Sequence, residues 1–162
     1  MDPPVARDIM TGSVVSLRPH DTVQHAVEVL LRTDVGGVPV VDEEGRLLGL
    51  LEDDDLLIRE ATLHVPSVLS LFLEHSMSFP PPSVRLFDME LRKAFGTTVA
   101  EIMDSDPATC TEDEPVESVA TRMHDGGLRR LPVVRDGVVV GIVARRDLLK
   151  LLARHLSDGP AS

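Results

Sequence analysis

The sequence predicts a mixed α/β (α+β) fold of two β-α-β-β-α repeats, packed about a pseudo-twofold axis through their sheets. A partly helical segment connects them. Two observations carry this reading. A shift of 93 residues lays Ile9-Met10 on Ile102-Met103 and Val23 on Val116. After one residue is dropped near Glu44, a shift of 92 aligns Gly45, Gly49, Asp55, Leu56 and Leu57 with Gly137, Gly141, Asp147, Leu148 and Leu149. Within each copy, moreover, the apolar period changes from helical to extended at matching points.

The elements follow in order. "VVSL" and "PATC" read as short extended pieces. Asp21 and Glu114 stand where a helix cap is wanted, and Pro115 where a first-turn proline is tolerated. Val23, Ala26, Val27, Leu30 and Leu31 form a helical stripe, repeated by Val116, Val119, Ala120 and Met123. "GVPVV" and "LPVV" are buried strands. "DEEG" and "RDG" are turns whose glycine supplies positive φ. "RLLGLL" and "VVVGIV" return as second strands, and a leucine-rich helix closes each copy. Neither copy is large enough to bury its own apolar faces, so the two are expected to clasp, leaving two equivalent clefts.

The expected boundaries are residues 1–57 for the first repeat, 58–98 for the connecting segment, 99–156 for the second repeat and 157–162 for a flexible tail. The connecting segment contains a candidate helix around Asp88 to Phe95. It also holds every aromatic residue of the chain: Phe72, Phe79, Phe87 and Phe95. These are expected to pack back on the repeats. A docking surface for a partner or second subunit is the alternative.

A net charge of −11 repels a phosphate backbone and an anionic membrane surface, so neither nucleic acid nor membrane is an expected partner. The single cysteine, Cys110, excludes an intrachain disulfide and reads as an inert buried thiol in a reducing compartment. No signal pattern and no membrane-spanning apolar run is visible, so a cytoplasmic location is expected. His20, His25, His64, His75, His124 and His155 show no metal-ligand spacing. There is no Walker-type loop, nucleophile elbow or C-x-x-C, and no nucleophile–base pair stands out; the chain reads as a non-enzyme.

"DIM" and "EIM", then "VPVVDEEG" and "LPVVRDG", then a glycine followed by D-L-L in each copy, are similar to the CBS (cystathionine-β-synthase) domain family. The chain resembles a tandem CBS pair protein of the stand-alone type over about residues 5–57 and 98–156. The resemblance implies a regulatory module with no obligatory cofactor. It would bind AMP, ADP, ATP or S-adenosylmethionine in a cleft between repeats and change dimer or partner geometry. A homodimer is implied, with a protein partner in trans as a further option.

The family's ribose-binding aspartate maps onto Asp55 and Asp147, where a carboxylate offers acceptors to a diol. The preceding hydroxyl position holds Glu52 in one copy and Ala144 in the other. Ala144 forgoes a cap and a hydrogen bond, about 1 kcal/mol; Glu52 places a negative charge where phosphate would lie. In "GGLRRLPVV", Arg130 stands where similar proteins carry a phosphate-binding arginine. Arg129, Arg145 and Arg146 are near in sequence, while the first copy has Gly36 and Gly37 with Asp53 and Asp54. The resemblance therefore assigns a phosphorylated ligand to the Asp147 cleft. The Asp55 cleft is left empty, or to a neutral or cationic group such as a nucleoside or sulfonium. Main-chain groups around Val15, Ala108, Val38-Pro39 and Leu131-Pro132 would read adenine edges. Two plainer readings stay open. The helix dipole alone favours Glu52 to Asp55, at roughly 0.3–1 kcal/mol each. The missing hydroxyls and aromatic middle also suit an interaction or oligomerisation module without nucleotide.

Overall fold

The computed structural model describes residues 2–56 and 97–157. In chain order these form α1 (Ala6–Ile9), α2 (Val23–Thr33), β1 (Gly37–Val41) and β2 (Leu47–Glu52), then a helical turn over 53–56. There follow α3 (Val99–Ile102), β3 (Cys110–Thr111), α4 (Val116–Asp125), β4 (Arg130–Arg135), β5 (Val138–Ala144) and α5 (Arg145–Ser157). Leu57, the four phenylalanines and the candidate helix at Asp88 to Phe95 lie outside the described residues.

Each repeat folds a hairpin with the same irregularity. β1 pairs antiparallel with β2 and β4 with β5, and the register shifts at Val40/Val41 and again at Val133/Val134. The turns differ. Asp136 and Gly137 both take positive φ (51° and 81°), the two-residue turn whose twist suits a hairpin. In the longer first turn, Asp42 Oδ1 accepts from the amides of Glu44 and Arg46. The lead-in strands also differ: β3 runs parallel to β4, whereas its counterpart is a single bridge, Leu17 to Val40.

Two details depart from the sequence pattern. The buried face of α2 is Ala26, Val29 and Leu30, while Leu31 is 66% exposed. Helical geometry turns 100° per residue, so a face centred on the fully buried Ala26 takes in Val29 and Leu30 and leaves Leu31 outside. The caps also fall one residue later. Thr22 Oγ1 receives the His25 amide, and Asp21 instead accepts from the Arg18 amide in the preceding turn. Pro115 is the N-cap of α4, and Glu114 accepts from Ser118 and Arg122.

The lead-in helices are exchanged between repeats. Ala6 of α1 is buried with Cys110, Val119, Met123, Leu131, Val133 and Val143 of the second repeat. Val99 of α3 is buried with Leu17, Ala26, Val29, Leu30, Val38, Val40 and Leu51 of the first. A one-turn helix cannot bury itself, and burying a valine side chain contributes about 1.5–3 kcal/mol, so each docks on the neighbouring hairpin. Met10 then lies against Gly141 and Met103 against Gly49, where any side chain would collide with the thioether. Packing units thus cross the sequence boundaries 1–57 and 99–156.

These contacts define the pseudo-twofold axis. Val5–Pro115 and Thr22–Thr98 exchange under the repeat shift, as do Thr11–Ile142 and Leu50–Asp104. The Arg46–Val138 bridge maps onto itself and so lies on the axis.

Candidate functional site

A cleft of about 200 Å³ opens between the repeats. The end of β2 and the turn after it contribute Leu50, Glu52, Asp54 and Asp55. The second repeat contributes Asp104, Pro107 and Ala108 from the segment before β3, and Gly127 to Arg130 from the approach to β4.

Asp55 and Asp147 do the same backbone work. Asp55 Oδ2 accepts from the Glu52 amide at 2.8 Å, and Asp147 Oδ2 from the Ala144 amide at 2.9 Å. A carboxylate three residues into a helix reaches back to an otherwise orphan amide, and Asp8 and Glu101 repeat the device at α1 and α3. This use takes one carboxylate oxygen. The other oxygen of Asp147 lies 3.6 Å from Lys150 Nζ, and its side chain is 11% exposed.

The acidic run is matched from across the axis. Arg129 holds Asp53 Oδ1 at 3.2 Å and Asp54 Oδ2 at 2.7 Å; Arg130 Nη1 lies 3.0 Å from Glu52 Oε1. The Arg130 contact is an ion pair without hydrogen-bond alignment: Nη1 is buried and, among the described residues, has no hydrogen-bond acceptor. The same guanidinium lies over Gly36 and Gly37, where any Cβ would overlap it. Gly37 is the repeat-shift counterpart of Arg130, so one repeat's side chain fills the axial space that the other repeat leaves empty.

Electrostatics follow the burial. Desolvation raises the Glu52 pKa, opposed by Arg130 and reinforced by Asp55. Desolvation likewise raises Asp55 against the lowering effect of its hydrogen bond from the Glu52 amide, with Asp104 adding repulsion. Cys110 is buried, and desolvation pushes its thiol up to about 11.

The sequence groups Arg130 and Arg129 with Asp147; the structure brings both arginines to the other aspartate. Both arginines line the cleft with Asp55, and Asp147 is not among its lining residues. The physical reason is the axis itself: the approach to β4 crosses to the end of β2, while the matching approach to β1 carries glycines. Ala108 lies in the cleft as well, and its counterpart Val15 is 40% exposed elsewhere. Val38, Pro39, Leu131 and Pro132 are core residues rather than cleft lining. Ala144 is half-buried beside the Asp147 cap. Arg145 fastens the loop before β4, its Nε donating to Leu128 O and its amide to Arg129 O. Asp104 and Pro107 escape a reading by repeats, because exchange of the lead-in segments brings them to the cleft. Among the described residues, no cluster of three His, Cys, Asp or Glu side chains is placed to hold a metal, and no helix is long and apolar enough to cross a membrane.

The family described as CBS domain matches residues 6–61 and 99–154. This chain is a CBS domain pair. It is 27% identical over 158 residues to the uncharacterized protein MJ1225 of Methanocaldococcus jannaschii, covering 94% of this chain and 46% of that protein. The pair thus spans about half the length of that relative. Among solved structures, the CBS domain of a CBS domain containing membrane protein from Sphaerobacter thermophilus is 35% identical, with TM-score 0.68 over 92% of this chain and 88% of that one. The CBS domain pair of protein MJ0100, in complex with 5′-methylthioadenosine and S-adenosyl-L-methionine, is 25% identical, with TM-score 0.69 over 92% and 99% of the two chains.

Proposed function

We propose that this CBS pair is a regulatory module that binds an adenosine-containing ligand between its repeats and thereby alters the geometry presented to a second copy or a protein partner. The observation that carries this is the inter-repeat cleft. Asp55 lines it with one carboxylate oxygen engaged at the helix start, and a ribose diol suits the other. The segment Pro107-Ala108 offers main chain for a base edge. The adenosyl ligands bound by the MJ0100 pair support the same ligand class. A ligand touching both repeats biases their packing by its differential affinity for the two arrangements. Rotation about the axis carries the cleft to a second position around Asp147 and Val15, with Gly37 where Arg130 stands in the first.

A thermal-shift panel of adenosine, 5′-methylthioadenosine, S-adenosylmethionine, AMP, ADP and ATP tests the proposal. A ligand at a hundred times its Kd stabilises by about 2.7 kcal/mol, several degrees for a chain of this size. At least one adenosyl compound is expected to shift the transition, with Asp55→Asn weakening the effect. Asparagine keeps an acceptor for the capped amide, so loss of binding is separable from loss of the cap. No shift from any compound favours an interaction module. Its surface would then be the α5 leucines Leu149, Leu152 and Leu156, which are 64%, 55% and 75% exposed.

A further inference from the structure

Both guanidinium groups of the cleft are matched by the protein itself. Arg129 is held by Asp53 and Asp54, and Arg130, whose side chain is only 12% exposed, faces Glu52 at 3.0 Å. Four carboxylates, Glu52, Asp54, Asp55 and Asp104, line the cleft against these two arginines. An incoming phosphate would have to draw Arg130 away from Glu52. That would strand a half-buried carboxylate beside Asp53 and Asp55, with its charged form already disfavoured by burial. A neutral or cationic ligand leaves the pair intact and meets an acid-rich wall. The volume, about 200 Å³, lies below the roughly 300–1,000 Å³ of pockets for drug-sized ligands and suits a compact nucleoside better than a polyphosphate.

We infer that Glu52 is a built-in counter-anion for Arg130, and that the Asp55 cleft thereby selects adenosyl ligands lacking phosphate: the nucleoside, its thioether or its sulfonium. This rests on the adenosyl reading above and names its ligand class. Gly36 and Gly37 are part of the device, because only the absence of side chains there lets the guanidinium settle on the axis.

Titration calorimetry on the full chain tests it, with wild type, Glu52→Gln and the double variant Glu52→Gln/Arg130→Gln each receiving adenosine and AMP. Wild type is expected to bind adenosine at least about tenfold more tightly than AMP. Glu52→Gln removes one like charge within contact range, so AMP should tighten by about tenfold or more while adenosine changes by less than about twofold. The double variant should lose that gain. Equal wild-type affinity for AMP and adenosine, both weakened by Asp55→Asn, overturns the inference, as does an unchanged AMP affinity in Glu52→Gln. If no variant binds either compound, the adenosyl reading fails, and inorganic pyrophosphate then decides the role of Glu52. A thermal shift gained in Glu52→Gln and lost in the double variant keeps the counter-anion; no gain removes it too.

Discussion

From the last residue of β2 the chain writes Glu52-Asp53-Asp54-Asp55; from the last residue of β5 it writes Ala144-Arg145-Arg146-Asp147. The aspartate stays because the backbone needs it, accepting the amide three residues back in both copies. The three positions before it answer to no such demand: Asp53 and Asp54 are replaced in the second copy by arginines, and Glu52 by a neutral alanine. Across the axis the complement has moved with them: Arg129 and Arg130 face the acids, while Gly36 and Gly37 make room. A duplicated fold keeps what hydrogen bonding fixes and divides the rest, so that one repeat supplies a cation and the other its anion.

The sharpest way to break the comparison lies at the paired glycines. A methyl at Gly49 meets the main-chain oxygen of Asp104 as well as Met103, whereas at Gly141 the three nearest atoms all belong to the Met10 side chain. Backbone cannot step aside as a thioether can. Gly49→Ala is therefore expected to destabilise by about 3 kcal/mol and Gly141→Ala by about 1 kcal/mol in urea denaturation. Equal losses would mean that the two halves pack alike.

A smaller contrast is expected between the capping aspartates. Asp147→Asn weakens a charge-assisted cap, at a cost of about 1 kcal/mol. Asp55→Asn loses the same cap strength and also relieves repulsion from Asp104, Asp54 and Asp53, so its cost should be visibly less. Denaturation midpoints of the two variants, measured side by side at neutral pH, check the order.

The smallest effect is in the pH profile. Glu52 and Asp55 have raised pKa values in the folded state, so the folded chain holds their protons longer; this contribution is complete below their ordinary values and is lost as pH rises through the raised ones. Glu114 runs the other way. Burial works against its charge, but hydrogen bonds from Arg122 and Ser118 outweigh it and lower its pKa. Its contribution is present above the ordinary value and is lost as pH falls through the lowered one. The two regions thus oppose each other on either side of the ordinary carboxylate values, Glu52 and Asp55 acting above them and Glu114 below. A Glu52→Gln/Asp55→Asn double variant, followed by midpoints across those values, should show stability rising more steeply with pH than wild type. A parallel profile would show that the two clusters do not differ.

Much of this was legible in the residues. The repeat shift locates both hairpins, both cap aspartates and the paired glycines, because each answers to a local rule of period, turn or cap. Arg130 is also visible as the odd residue of its pair, yet its partner is not. Sequence places Arg130 seventeen residues before Asp147, and proximity along the chain suggests a shared cleft. In space the approach to β4 crosses the axis to the end of β2, and exchange of α1 and α3 brings Asp104 and Pro107 with it. Which half completes which cleft is a property of docking, set by four-residue helices that carry little pattern of their own.

One double-mutant cycle goes straight to the divided seam: unfolding free energies of wild type, Glu52→Gln, Arg130→Gln and the double variant. Both side chains are mostly buried, at 22% and 12% exposed, so a coupling of about 1–2 kcal/mol is expected between them. Additivity to within about 0.3 kcal/mol would show that the two charges stand near each other without acting as a pair, and the account of the seam would be contradicted.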